Sequence, residues 1–226
     1  MSARAHTFVF ADLAGFTALT EAHGDERAAD IALEFCAELN RLLPDDAEDL
    51  KMLGDACLLR VGDAGEAVRL GVQLTGALAP RHGFPDVRVG MNTGTAVQRG
   101  ADWFGSAVNT AARVAELAGP GDVLLTAATR TAAGSPPNLR LEDCGRHELR
   151  HIGEPTHLYR VRSVAAPDHD GRWVVDPVCR MRLDAEQAAT SVTEDGTEHF
   201  FCSPLCAGQF SRSPERYLRD LGRARL

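Results

Sequence analysis

The 226-residue sequence predicts an α+β domain of ferredoxin-like kind, an antiparallel sheet with helices on one face, followed by a small cysteine-containing module. Three observations carry this prediction. Short apolar runs of strand type alternate with amphipathic helical stretches, Gly-Asp and Gly-Glu-Pro turns mark hairpins among them, and the composition changes after a polar Pro/Gly segment. The bounds that follow are a first domain at 1–164, a linker at 165–172 and a second domain at 173–226.

Residues 7–11 (TFVFA) are a continuous apolar run that leads into Asp12-Leu13-Ala14-Gly15-Phe16-Thr17. A carboxylate at the end of a buried strand, then a glycine turn and a helix start, suits a cation held near a phosphate, because a helix N-terminus offers backbone N–H groups to an anion. Asp12 reads equally well as an N-cap. Helical spacing covers residues 27–43, with Ala28, Ile31, Leu33, Phe35, Leu39 and Leu42 broadly on one side and Pro44 beyond. Apolar runs at 49–53 and 56–61 flank Gly54-Asp55 as a hairpin. A second amphipathic helix at 64–79 is closed by Pro80. Residues 86–91 form a strand in which Arg88 alternates with valines, pointing either to solvent or into a cleft where it would bind phosphate, and residues 92–95 are a turn. The helix at 106–117 stops at Gly119-Pro120-Gly121. It places Asn109 and Arg113 four apart on one face, beside a stripe of Val108, Ala111, Ala112 and Ala115 that would hold both close to the core. A short strand at 122–125 and a hairpin from 141–149 and 154–161 close the domain.

A net charge of -8 argues against a nucleic-acid binder. No apolar run approaches the roughly 18 residues of a membrane span, and the N-terminus shows no signal-peptide core, so a cytoplasmic protein without membrane partners is expected. Lys51 is the single lysine among 24 Lys and Arg residues, which singles out a position where a compact ammonium donor serves and a planar fork does not. Of the six cysteines, Cys36, Cys57 and Cys144 are scattered in apolar surroundings and read as small hydrophobes. Cys179, Cys202 and Cys206 cluster near the C-terminus, which in a reducing compartment reads as metal binding before disulfide.

Four stretches, FVFADLAGFT (8–17), KMLGD (51–55), VRVGMNT (87–93) and DWFGSAVNTAAR (102–113), together resemble the catalytic domain of class III nucleotidyl cyclases over about residues 7–163. Cyclising a nucleoside triphosphate requires that the ribose 3'-hydroxyl be made more acidic and the phosphoryl charge be neutralised, which a pair of divalent cations can do together. Asp12 and Asp55 are a suitable cradle for Mg²⁺ or Mn²⁺, which prefer oxygen donors. The resemblance implies that these two aspartates are the metal ligands, with the Leu13 carbonyl as a further donor. It implies that Arg113 stabilises charge at the α-phosphate, Asn109 orients the ribose, Arg88 meets the terminal phosphates, and Phe16 and Thr17 belong to the substrate site. Lys51 and Asp102 match the pair that reads the purine. A carboxylate accepts from the adenine amino group but would face the guanine carbonyl unpaired, so the pair favours ATP. The family builds each site from two protomers, and all six positions occur here on one chain, which implies a homodimer. Asn92 departs from the histidine of many relatives, with a modest structural effect expected. The expected activity is an adenylate cyclase making 3',5'-cyclic AMP and pyrophosphate from ATP; the alternatives are a guanylate cyclase or a catalytically silent, metal-responsive nucleotide-binding regulator.

From Trp173 the sequence is similar to a YHS domain, through DPVCRM (176–181), HFFCSPLC (199–206), Phe210, Pro214 and Tyr217. Three thiolates suit Zn²⁺ or Cu(I), and His199 is the candidate fourth ligand. The competing reading is three reduced thiols packed around Phe200, Phe201 and Phe210. A module of about 50 residues has little core of its own, so a metal would help it fold and could make it a regulator of the first domain. The basic tail from Arg212 to Arg225 reads as a solvated helix face.

Overall fold

The structure is a computed structural model that describes residues 4–164 and 172–221, so residues 165–171 of the linker and the end of the basic tail, from 222 on, lie outside the described residues. The first domain runs β1 (His6–Leu13), α1 (Phe16–Leu42), β2 (Ala47–Leu53), β3 (Ala56–Val61), α2 (Ala64–Leu78), β4 (Phe84–Pro85), β5 (Val87–Gly94), β6 (Val97–Arg99), β7 (Asp102–Phe104), α3 (Ser106–Leu117), β8 (Val123–Thr126), α4 (Ala127–Ala133), β9 (Leu139–His147) and β10 (Thr156–Ser163). Seven strands form one sheet in the order β2-β3-β1-β5-β8-β10-β9. Only the β5–β8 pair is parallel.

Alternation along β1 and β5 separates the two faces of this sheet. Val9, Ala11 and Leu13 pack with Val89 and Met91 into the main core, beneath Ile31 and Phe35 of α1 and Val68 and Leu74 of α2. Phe8 faces the other way, onto Ala107, Val108 and Ala111 of α3. The expectation of helices on one face is therefore corrected: α1 and α2 share a face and α3 lies on the opposite one. Gly90 makes this packing possible, since a Cβ there would stand 2.1 Å from the backbone nitrogen of Ala115. Three polar side chains, Asp12, Arg88 and Lys51, fall on the α3 side of the sheet by the same alternation. Asp12 follows Phe8 and Phe10, Arg88 precedes Gly90, and Lys51 is paired with Leu58.

Local differences from the sequence reading have local causes. Helix α1 starts at Phe16 and is broken at Gly24 (φ 82, ψ 169), so its first piece is too short to show a clear period. Strand β5 continues through residues 92–94, where a turn was expected, because Asn92, Thr93 and Gly94 stay paired with Phe8, Thr7 and His6. Helix α4 was not foreseen; Thr126 caps it by accepting from the Thr129 N–H.

The second domain comprises β11 (Trp173–Val175), β12 (Met181–Asp184), β13 (Thr190–Glu194), β14 (Thr197–Phe201), α5 (Pro204–Arg212) and α6 (Pro214–Leu221). It is built onto the first. Strand β12 pairs with β4, Met181 opposite Pro85 and Arg182 opposite Phe84. Arg182 makes an ion pair with Asp86 at 2.8 Å. Val178, Cys179, Met181, Leu183, Phe201, Cys206 and Phe210 belong to the same apolar core as Leu78 and Phe84. A module too small to bury much surface alone thus shares the core of its neighbour.

Candidate active site and cysteine cluster

Asp12 stands at the end of β1, opposite Ala56 on one side and Arg88 on the other. It is not a helix cap: the residue before α1 is Gly15, in the left-handed region (φ 79), and no side chain caps that helix. Phe16 and Thr17 therefore begin α1 with backbone N–H groups that no side-chain cap covers. Arg88 donates from Nε to Asp12 Oδ2 at 2.6 Å, with a second bond from Nη2 to the same oxygen. The Leu13 N–H donates to the Asp55 carbonyl at 3.2 Å, which fastens the β2–β3 turn to the end of β1 and brings the two aspartates together. Burial pushes the Asp12 carboxyl above the usual carboxylate range, Arg88 opposes this, and the neighbouring Asp55 pushes it further up. A half-buried carboxylate pair of this kind is relieved by a hard cation, so Asp12 and Asp55 fit Mg²⁺ or Mn²⁺.

Lys51 on β2 and Asp102 on β7 meet as an ion pair, Nζ to Oδ1 at 2.6 Å, with each side chain about half exposed at 49% and 45%. Trp103 seats the β6–β7 ribbon that carries Asp102. Its ring lies 5.2 Å from that of His6 and 5.9 Å from that of Phe8, with the Arg60 guanidinium over it at 5.2 Å. Asn109 and Arg113 share a face of α3, but Asn109 is exposed, where a position close to the core was expected. Arg113 is ion-paired with Glu116, one turn on. Among the described residues, neither Asn109 nor Arg113 hydrogen-bonds to Asp12, Asp55, Lys51 or Asp102. Asn92 is buried and structural, donating to the Ala107 carbonyl at 3.1 Å and accepting from the Thr126 hydroxyl at 2.7 Å.

In the second domain Cys202 Sγ lies 3.5 Å from Cys179 Sγ and 3.6 Å from Cys206 Sγ. The fourth member of the group is His23 of α1, whose Nε2 is 3.4 Å from Cys202 Sγ and 3.7 Å from Cys206 Sγ. His199 is not part of it. Its ring packs on Phe210 at 5.1 Å, because its place on β14 turns it toward the aromatic core. Hydrogen bonds from Cys179 and Cys202 hold the Cys206 thiol far below the usual range, and the bond with Cys202 pushes Cys179 far above it. Although its bond with Cys179 lowers it, Cys202 is also pushed above the usual range, by its bond with Cys206 and by burial, so of the three thiols Cys206 is the one favoured as thiolate, the form that binds metal. Asp176, fully buried, accepts from the N–H groups of Val178 at 2.8 Å, Cys179 at 3.3 Å and Cys202 at 2.9 Å, and so sets two of the three cysteines.

Residues 2–162 match the family described as the adenylate and guanylate cyclase catalytic domain. The chain belongs to this family. Residues 174–220 match the YHS domain. The cyclase chain is 34% identical over 172 residues to a pH-sensitive adenylate cyclase of Mycobacterium tuberculosis, an alignment covering 75% of this chain and 43% of that protein. It is 36% identical over 117 residues to an adenylate cyclase of Streptomyces griseus, covering 51% and 29%. The chain thus spans less than half the length of these curated relatives. Among solved structures, an adenylate cyclase from Trypanosoma brucei in its monomeric state superposes with a TM-score of 0.66 at 20% identity, covering 73% of this chain and 91% of that one. The adenylyl cyclase CyaB from P. aeruginosa gives 0.62 at 22% identity, covering 74% and 96%. At these identities the structures speak for the fold.

Sequence reasoning missed three residues around these two candidate sites: Trp103, Asp176 and His23. Trp103 lies next to Asp102 within the recognised motif, and Asp176 precedes Cys179 by three residues, a spacing typical of a carboxylate that caps a turn. His23 had no sequence signal, since it lies 179 residues from Cys202.

Proposed function

We propose that this cyclase converts ATP to 3',5'-cyclic AMP and pyrophosphate, at sites completed between two copies of the chain. The observation that carries the choice of substrate is the Lys51–Asp102 pair, which presents a donor and an acceptor side by side. Adenine offers the complementary acceptor and donor at its ring nitrogen and amino group, whereas guanine would leave Asp102 facing a carbonyl.

Two divalent cations would supply activation of the 3'-hydroxyl and neutralisation of the phosphates. Asp12 and Asp55 would hold them, with the Leu13 carbonyl as a further donor. Arg88, which donates to Asp12, would meet the terminal phosphates once the carboxylate holds a cation. The N–H groups that open α1, at Phe16 and Thr17, face phosphate oxygens. Asn109 orients the ribose and Arg113, exchanging Glu116 for substrate, stabilises the charge that builds at the α-phosphate.

The outward placement of Asn109 and Arg113 supports their acting on the substrate of a second copy. So does a shallow apolar groove beside the metal cradle, lined by Phe16, Ala28, Leu33 and Met52, in which Leu33 is 69% exposed. The deciding experiment is a Mn²⁺-supported assay with ATP and GTP side by side. Cyclic AMP from ATP, absent in Asp55→Ala, is the expected result. Full activity in that variant would remove the metal assignment, and equal use of GTP would remove the base reading.

A further inference from the structure

Outside the proposed catalytic residues, one group of ligating atoms among the described residues is placed to hold a metal ion, and it spans two domains. The donor atoms of His23, Cys179, Cys202 and Cys206 all lie within 4.8 Å of one another. A tetrahedral ion about 2.3 Å from sulfur and 2.0–2.1 Å from nitrogen needs sulfur–sulfur edges near 3.8 Å and sulfur–nitrogen edges near 3.6 Å. Four of the six separations, sulfur–sulfur at 3.5 and 3.6 Å and sulfur–nitrogen at 3.4 and 3.7 Å, lie within a few tenths of an ångström of these values, and the two from Cys179 to Cys206 and to His23 are within 4.8 Å. They are far too long for disulfides, whose sulfurs bond at about 2.05 Å. Cys179 and Cys206 are fully buried, and His23 and Cys202 are partly buried beside them.

We propose that His23 of the cyclase domain and Cys179, Cys202 and Cys206 of the YHS domain form one closed four-ligand site for Zn²⁺ that fastens the two domains together. Three thiolates and an imidazole are a zinc donor set, and binding displaces the thiol protons to solvent. The YHS domain supplies three ligands, and the fourth comes from the end of the first piece of α1, just before the break at Gly24.

The clasp reaches the catalytic loop through the residue after Cys179. Arg180 lies over Gly15, where a Cβ would come within 2.5 Å of the Arg180 Cβ, and its Nη2 donates to the Tyr217 carbonyl at 3.2 Å. Gly15 is three residues beyond Asp12, so an ion that holds Cys179 against His23 also steadies the turn behind the metal cradle. This coupling rests on the cyclase reading; the zinc assignment does not.

The test uses the full chain, purified with its metal and assayed for zinc content, then stripped under reducing conditions and titrated with Co²⁺. Thiolate-to-cobalt charge transfer reports this site alone, because cobalt at the carboxylates of Asp12 and Asp55 gives no such band. The expected result is one zinc per chain and a strong charge-transfer band. In His23→Ala, zinc is lost to a competing chelator that leaves the wild type loaded. His23→Cys restores the metal with the spectrum of a four-thiolate site, which separates loss of a ligand from loss of folding, and His199→Ala behaves as wild type. Wild-type affinity and spectrum in His23→Ala would overturn the proposal, as would a wild-type chain that takes up neither zinc nor cobalt at the thiols. Neither outcome depends on whether the chain turns over ATP.

Discussion

Lys51 donates to Asp102 across 2.6 Å although the two are 51 positions apart in the chain. The pair is assembled from two structures that meet only in the folded protein, the β2–β3 hairpin and the ribbon seated by Trp103. About half exposed, it contributes little to stability as a surface ion pair. Its value lies in the donor and acceptor it can present to a base. Replacing Lys51 by Glu and Asp102 by Asn together inverts that pattern. The ratio of kcat/KM for ATP to that for GTP should fall by roughly tenfold to a hundredfold, the range for one or two mispaired hydrogen bonds. Thermal stability should barely change, so kinetics with both nucleotides and a melting curve form the check.

Gly90 is where the sheet and α3 come closest. In Gly90→Ala the added methyl would meet the Ala115 backbone at 2.1 Å, and backbone yields less readily than a side chain. The expected cost is roughly 1–3 kcal/mol, as for overpacking elsewhere. Because α3 carries Asn109 and Arg113, kcat should fall with stability. Denaturant unfolding paired with turnover measures both.

Asp176 holds three backbone N–H groups in the interior of the second domain. Asp176→Ala removes their acceptor and should cost on the order of 1–3 kcal/mol or more, through donors left buried and unpaired. The Cys179 and Cys202 backbones then lose their common anchor. Melting curves followed with a thiol-reactive probe should show earlier labelling of the cysteines.

Asp184 is a buried carboxylate at the end of β12. The bonds from Arg172 hold its carboxyl down at about 2 against the burial that pushes it up, helped by the Glu186 N–H and the Gln187 amide. Its folded value lies below the ordinary 3.8, so the stabilisation is fully present above that value and is lost as pH falls from there through about 2. Wild-type protein should therefore lose more melting temperature between pH 5 and about pH 3 than Asp184→Asn does. Parallel slopes for the two proteins would show that Asp184 does not carry this part of the pH dependence.

Much of the fold and of the candidate site could be read locally. The helix over 106–117 matches α3 residue for residue, since its small apolar stripe and the Gly119-Pro120-Gly121 stop are both local signals. The Gly54-Asp55 hairpin and the strand before Asp12 follow from runs of a few residues and the turns between them. Lone Lys51, the paired aspartates and the Asn109/Arg113 spacing single out the candidate site residues in the same way.

Tertiary structure alone decided which groups face each other. Asp12 binds Arg88 because β1 and β5 are in register, and the face chosen by α3 depends on the missing side chain of Gly90. The second domain docks through a two-residue strand, Phe84–Pro85, too short to carry a pattern. His199 is next to the cysteine motif in sequence and turns away, whereas His23, 179 residues from Cys202, turns in. Local sequence sets the period and ends of each element through backbone preference and burial. A ligand brought in from a distant element depends on how two finished surfaces pack, and no window of sequence contains both.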